Sequence, residues 1–371
     1  MAADVPARRR LRLRDVADEV GVSAKTVSNA YRAPGQLSAE LRERIFAAAD
    51  RLGYAGPDPV ASGLRRGRVG AIGVVYANRL SYAFDDPNTN ALLAGVTSVA
   101  DTAGVGLLLL PGSADPGGRA AALSGALVDA VVVSSLAEDD PLLKTIVARG
   151  LPLVVVDQPG PESLAALGAA GAPWIGIDDR AAARGVAEHL LRLGHRQLGV
   201  VSFALRLGAP EGFARVGDQE RATLSVTRNR LAGYRDAAEP AGIDWSTVPV
   251  SQGTDSTAAE GERGALAVLG TTPRPTALIC LSDRLAEGAL HAAATLGLRV
   301  PQDVSVVGFD DAPHLAAQLG LTTVRQPSRL KGERAAQTLL SVLDGTAADR
   351  RCELGTELVV RTSTAPPPTG R

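Results

Sequence analysis

The chain has 371 residues, 45% of them apolar and 21% charged, with two cysteines. At about 150 residues per domain this is enough for roughly two to three structural units with a sizeable core, and it excludes a disordered segment, a disulfide-stapled peptide and a Cys-rich zinc site. The net charge of −1 hides a division: residues 1–68 hold 13 Lys/Arg against 8 Asp/Glu, whereas residues 69–371 hold 26 against 32. A basic head on an acidic body is a pattern of nucleic-acid binding, although a solvated N-terminal arm gives the same count.

Along the head, Arg8, Arg9 and Arg10 are basic but no apolar h-region follows them, and no apolar run approaches the roughly 18 residues of a membrane span. A cytoplasmic, nucleoid-associated protein with no membrane partner is therefore expected. Residues 13–20 put Leu13, Val16, Ala17 and Val20 on one helical face, and Gly21 stops that helix. Ser23 suits the N-cap of a short helix over 24–31, with Val27 and Tyr31 turned inward. A third helix is predicted over 38–52, with Leu41, Ile45, Phe46, Ala49 and Leu52 inward and Gly53 at its end.

Residues 54–68 are rich in Pro, Gly and Arg, as at a domain boundary, yet hold a helix start at Asp58 and Pro59 that extends towards Leu64. Gly63 weakens such a helix by about 1 kcal/mol relative to alanine. Beyond it, apolar runs at 69–76, 106–110, 130–134, 153–156, 174–177, 198–203, 277–281 and 304–309 alternate with helical stretches. Runs of this kind are strands of a parallel sheet covered on both faces, and there are too many for one ordinary sheet. Two linked Rossmann-like subdomains are expected, with a weakly patterned, mobile loop at 204–228 and a disordered tail at 364–371.

The short second helix carries the most specific chemistry. Its outer face presents Ser23, Ala24, Lys25, Ser28, Asn29 and Arg32 behind a tight glycine turn, which is helix-turn-helix design. Lys25 matches guanine acceptors and Asn29 matches adenine, while Ser23, Thr26, Ser28 and Arg32 are sized for phosphate. Enzyme signatures are missing: the sequence has no dinucleotide turn, Walker A loop, nucleophile elbow or H-E-x-x-H pair. The histidines His189, His195, His291 and His314 are scattered, so neither a catalytic role nor a cofactor is expected.

Residues 13–28, with Arg42-Glu-Arg-Ile45, Leu52-Gly-Tyr54 and Ala61-Ser-Gly-Leu64, resemble the lactose-repressor (LacI) family of bacterial regulators. In the body, Gly194-His-Arg196, Arg230-Leu-Ala-Gly-Tyr234, Ser282-Asp283, the run 304–311 and Leu321-Thr-Thr-Val-Arg-Gln326 are similar to the family's effector-domain motifs. The resemblance implies an all-α helix-turn-helix headpiece at 1–56, a hinge at 57–68 and a periplasmic-binding-protein-like α/β body at 69–371. The body would divide into one subdomain of about 69–168 and 327–346 and a second of about 172–325 and 350–364.

By the same resemblance Leu64 wedges into the minor groove and kinks the operator, a contact that would order a weak hinge helix. Leu13 joins Ser23, Ala24, Lys25, Thr26, Ser28, Asn29, Arg32 and Leu64 in the expected DNA-contact set. Asp157, Arg230 and Asp283 are similar to polar effector contacts, and guanidinium with carboxylates suits a hydroxylated ligand. Phe84, Asp86 and Asn88 on the strand-1 exit and Gln326 at a subdomain crossover complete the set, although a lone Asp is more often a helix cap and a strand-end hydrogen bond accounts for Gln326 equally well. The expected function is a transcription regulator, a homodimeric repressor on a pseudo-palindromic operator, controlled by a small metabolite such as a sugar. A periplasmic-type solute-binding protein with the same body, or an enzyme built on it, are the competing readings.

Overall fold

The chain folds into two compact units, residues 1–70 and 71–371. The computed structural model describes residues 11–32, 34–56, 67–77, 80–110 and 116–368. Leu64 with most of the expected hinge lies outside the described residues, as does the Arg32 side chain.

In the first unit, α1 (Leu13–Val20), α2 (Ala24–Arg32) and α3 (Ala39–Leu52) follow the predicted order. Gly21 and Gly53 take the left-handed conformation, both with φ +73°, and so terminate α1 and α3 where a side chain would be strained. The Ser38 side chain accepts from the Leu41 N–H and fixes the start of α3. Val16, Ala17, Val27, Ala30, Ile45, Ala48, Ala49 and Tyr54 form the core, with Tyr31 packed edge-on against Phe46 at 5.0 Å between ring centroids.

The second unit contains two parallel-stranded lobes. The first-lobe strands are β1 (Ala71–Tyr76), β2 (Gly106–Leu110), β3 (Ala130–Ser134), β4 (Leu153–Val156) and β5 (Trp174–Ile177). The second lobe contains β6 (Leu198–Ser202), β7 (Gly212–Phe213), β8 (Val250–Gln252), β9 (Ala277–Cys280) and β10 (Ser305–Val307). After them come β11 (Thr323–Arg325), β12 (Arg351–Leu354) and β13 (Glu357–Val359). The first sheet has the order β12-β5-β4-β3-β1-β2 and the second β10-β9-β6-β8-β7, with only β7 antiparallel, while β11 and β13 zip together as a separate antiparallel pair.

Three expectations need correction. Residues 174–177 and 351–354, assigned to the second subdomain, pair within the first sheet, Cys352 opposite Ile175; the apolar pattern identifies a strand without saying which sheet it joins. The stretch 204–228 is ordered structure: it holds β7, a helix at Val216–Glu220 and the start of helix Ser225–Ala238, and Gln219 is buried, its amide donating to the Ala214 carbonyl at 3.0 Å. The tail expected to be disordered is tied down through residue 365, where Ala365 N–H donates to Ser305 Oγ at 3.1 Å and its carbonyl lies 2.9 Å from His195 Nε2. Those bonds are to main-chain atoms, which composition cannot reveal.

Glycines let helices approach within backbone contact. Helices Pro87–Ala103 and Ser328–Leu343 pack so closely that a Cβ on Gly332 would lie 2.0 Å from the Leu92 carbonyl oxygen, and one on Gly95 would lie 2.0 Å from that of Arg329. This pair covers one face of the first sheet through Leu92, Val96, Ala335, Ala336 and Leu339. It also brings the start of helix Ser328–Leu343 down to the chain that leaves β4, where Lys331 reaches Asp157.

Candidate DNA-reading helix and ligand cleft

In the first unit, α2 turns Val27 and Ala30 into the core and leaves Ser23, Ala24 and Lys25 exposed. Ser23 is the N-cap: its Oγ accepts from the Thr26 N–H at 3.0 Å and lies 2.8 Å from Thr26 Oγ1. The hydroxyls of Ser23 and Thr26, expected to face phosphate, are thus partly engaged in holding the helix start. Asn29 donates to Gln36 Oε1 at 3.3 Å, which orients its amide. Ser28 is half-buried, and so is Leu13, at the first turn of α1.

In the second unit, the expected ligand residues fall into two groups. Asp157 and Gln326 follow β4 and β11, and Arg230, on helix Ser225–Ala238, reaches the Leu281 carbonyl at the carboxyl end of β9; strand ends of this kind are where open α/β sheets bind ligands. Asp157 follows β4 with φ +61°, an uncommon conformation for a residue with a side chain, and its carbonyl is held by Trp174 Nε1 at 2.9 Å. Arg230, 4% exposed, donates from Nε to Asp179 at 2.8 Å and from Nη1 to the Leu281 carbonyl at 2.6 Å, and its guanidinium lies 3.5 Å over the Phe309 ring.

Asp283, Asp86 and Phe84 do other work. Asp283 is fully buried at the start of helix Asp283–Thr295, accepting from Ala312 N–H at 2.7 Å and Thr323 Oγ1 at 2.6 Å, so it ties the turn after β10 to β11. Asp86 caps helix Pro87–Ala103 through the Asn88 and Thr89 N–H groups. Phe84 is 58% exposed on a short helix, Leu80–Asp85, and Asn88 Oδ1 accepts from Ser328 Oγ.

Three further buried residues extend this polar cluster. Asp310 follows β10 and accepts from Gln326 Nε2, with Arg230 Nη1 3.9 Å away. Lys331 donates to Asp157 Oδ1 at 2.6 Å and to Gln326 Oε1 at 2.5 Å. Asp179 pairs Arg230 from the neighbouring helix. Together they form a polar chain across the lobes, Asp157–Lys331–Gln326–Asp310–Arg230–Asp179. Asp310 was legible by the same strand-end rule that selects Asp157, whereas Lys331 reads in sequence as one more surface charge. Away from this chain the lobes also meet where Arg228 makes two bonds to Glu138 at 2.8 and 2.9 Å, Glu138 N–H donates to the Thr223 carbonyl at 2.8 Å, Val226 N–H donates to Gln158 Oε1 at 3.0 Å, and Tyr82 Oη donates to the Ser256 carbonyl at 2.9 Å.

Burial pushes the carboxyls of Asp179 and Asp310 above their usual range, against the pull of Arg230. Burial likewise raises Asp283 to about 7, outweighing its two hydrogen bonds. In the unfolded chain an aspartate releases its proton near about 4, so between these values the native state holds the extra proton and stability declines as pH rises from about 4 to about 7. Asp283→Asn is expected to flatten that decline relative to the unaltered chain in urea titrations across this range; parallel slopes in the two proteins would remove the assignment.

Among the described residues no helix is long and apolar enough to cross a membrane, and no group of three or more His, Cys, Asp or Glu could hold a metal ion. Residues 12–56 match the model of bacterial regulatory proteins of the lacI family, and residues 187–364 match a periplasmic binding protein-like domain. An HTH-type transcriptional regulator of Mycobacterium tuberculosis is 42% identical, over 90% of this chain and 91% of its own length. A LacI-family regulator of Corynebacterium glutamicum of known crystal structure is similar at 36% identity and a TM-score of 0.72, covering 95% of this chain and 98% of that one. The lac repressor dimer bound to operator and the anti-inducer ONPF is similar at 26% identity and a TM-score of 0.75, covering 96% of this chain and all (100%) of that one. With a helix-turn-helix head and a two-lobed α/β body in the family's order, the chain belongs to the LacI family of bacterial transcriptional regulators.

Proposed function

We propose that this regulator is a cytoplasmic repressor that binds a pseudo-palindromic operator as a homodimer and is controlled by a small hydroxylated effector held between its lobes. The observation that carries the reading is the presence in one chain of an exposed polar helix, with Lys25 in the open and Asn29 oriented by Gln36, and of a buried chain of matched donors and acceptors between the two lobes of the body. Lys25 and Asn29 would read base edges, and Leu13, Ser23, Ala24, Thr26, Ser28 and Arg32 would contact the backbone around them. One helix reads too few bases for useful specificity, so two-fold pairing is needed, and the similar lac repressor is a dimer on its operator.

In the cleft, Asp157, Asp310, Arg230 and Gln326 would contact the effector. Its binding alters the free energy of lobe closure, and with it the affinity for DNA. The relatives compared are regulators rather than catalysts, which favours a binding protein.

Titration of random and selected duplexes against salt tests the DNA arm. Affinity for random duplex is expected to fall steeply and linearly on a log–log plot. Lys25→Ala is expected to weaken selected-site binding by about 1–3 kcal/mol, more than random-site binding. A flat salt profile would overturn the reading.

A further inference from the structure

We infer that Gln36, which lies outside the reading helix, is a specificity-determining residue for the DNA: it fixes the Asn29 amide so that one strand orientation of an A·T pair is read and the reverse is refused. The inference rests on the reading of α2 as the helix that contacts base edges.

Gln36 ends the short 3-10 turn Pro34–Gln36 between α2 and α3. Its backbone is held from the following side, where Leu37 packs against the core of the head and Ser38 caps α3. The side chain is exposed, so packing does not ask for an amide here. It nonetheless reaches back seven residues, where Oε1 accepts from Asn29 Nδ2 at 3.3 Å. Neither side chain makes another hydrogen bond among the described residues. Asn29 therefore keeps one Nδ2 proton and its Oδ1, and Gln36 keeps both protons of Nε2.

The direction of an exposed asparagine amide is otherwise weakly set, because rotation about its χ2 is broad and roughly two-fold. For a base reader that rotation changes the message. Adenine shows N7 as acceptor and N6 as donor in the major groove, so asparagine meets it with Nδ2 on N7 and Oδ1 on N6. Turned over, the same amide needs the donor and acceptor in the opposite order across the groove, which is the order shown when the adenine stands on the other strand. Gln36 removes the choice. An acceptor beside Asn29 holds the nitrogen end and leaves Oδ1 at the other, with one Nδ2 proton still free for the base. Lys25, one turn earlier on the same face of α2, carries donors only and cannot hold the nitrogen.

Selection from a random duplex library by the full chain, followed by titration of the selected half-site with single base-pair changes, tests this. The unaltered protein is expected to prefer A·T over T·A at one position of each half-site by about fivefold or more. Asn29→Ala is expected to identify that position by losing the preference there. Gln36→Ala is expected to lose most of the same preference, and to remove nothing further from it when added to Asn29→Ala. Gln36→Glu keeps an acceptor for Asn29 and exchanges the free amide donors for a negative charge. It is expected to bind every duplex more weakly and to retain the choice of A·T over T·A. Calorimetry is expected to show the head transition in place in each variant, as suits an exposed position, and Gln36→Met carries the test if Gln36→Ala does not fold. A preference unchanged in Gln36→Ala, or lost as fully in Gln36→Glu, overturns the role of Gln36 and leaves the DNA-reading helix standing. A selected site at which Asn29→Ala alters no base preference overturns it as well. No enrichment of any sequence by the unaltered protein overturns both the DNA reading and the inference.

Discussion

Replacing Arg230 with alanine is expected to abolish any ligand-induced rise in melting temperature and to lower the stability of the body by about 3–5 kcal/mol. Its guanidinium is the cation between two buried carboxylates, 2.8 Å from Asp179 and 3.9 Å from Asp310, and it also satisfies the Leu281 carbonyl. Alanine leaves both acids buried without a counter-ion, so they must take up protons or draw in water, and either outcome costs the fold. Lysine at 230 would restore the charge without the planar fork that reaches Asp179 and Leu281 at once, so Arg230→Lys should recover part of the stability and little of the ligand response. Urea denaturation and thermal shift on the three proteins decide the matter. A full ligand response in Arg230→Ala would remove the residue from the binding site, whatever its effect on stability.

What the sequence discloses and conceals follows from the physics of each element. The first-sheet strands β3 and β4 are buried on both faces, and a run such as Ala130-Val-Val-Val-Ser134 announces that. The strand β12, Arg351-Cys-Glu-Leu354, sits at the sheet edge with alternating exposure, and only tertiary pairing with β5 makes it a strand. The cleft is similar. Asp157 and Asp283 are indistinguishable as acids at strand exits, yet one carboxylate has an oxygen to spare while both oxygens of the other are bonded to Ala312 and Thr323. Ser282, one residue earlier, supplies the helix cap that fixes this direction. Lys331 stands among Arg329, Glu333 and Arg334, and nothing local separates an inward lysine from a solvated one. Its burial arises from the close approach at Gly332, which brings the helix start down to the strand ends.

Ile45→Ala is expected to abolish DNA binding by the full chain while leaving ligand stabilisation of the body intact. The head depends on a small core in which Ala17, Ala30, Ala48 and Ala49 contribute little apolar area, so Ile45, fully buried, is among its largest aliphatic anchors. Truncating a buried isoleucine to alanine costs about 2–5 kcal/mol, comparable with the whole stability of a unit this small. Unfolding the head removes the helix that presents Lys25 and Asn29, and the basic residues that survive in an unfolded arm cannot hold a register on the duplex. The milder Ile45→Val should cost about 0.5–1.5 kcal/mol and retain binding, which separates loss of packing from loss of a specific contact. Because residues 1–70 and 71–371 form separate compact units, calorimetry should show the head transition lost and the body transition unmoved. Selected-operator binding that persists in Ile45→Ala would mean that the DNA is held by something other than the folded three-helix head.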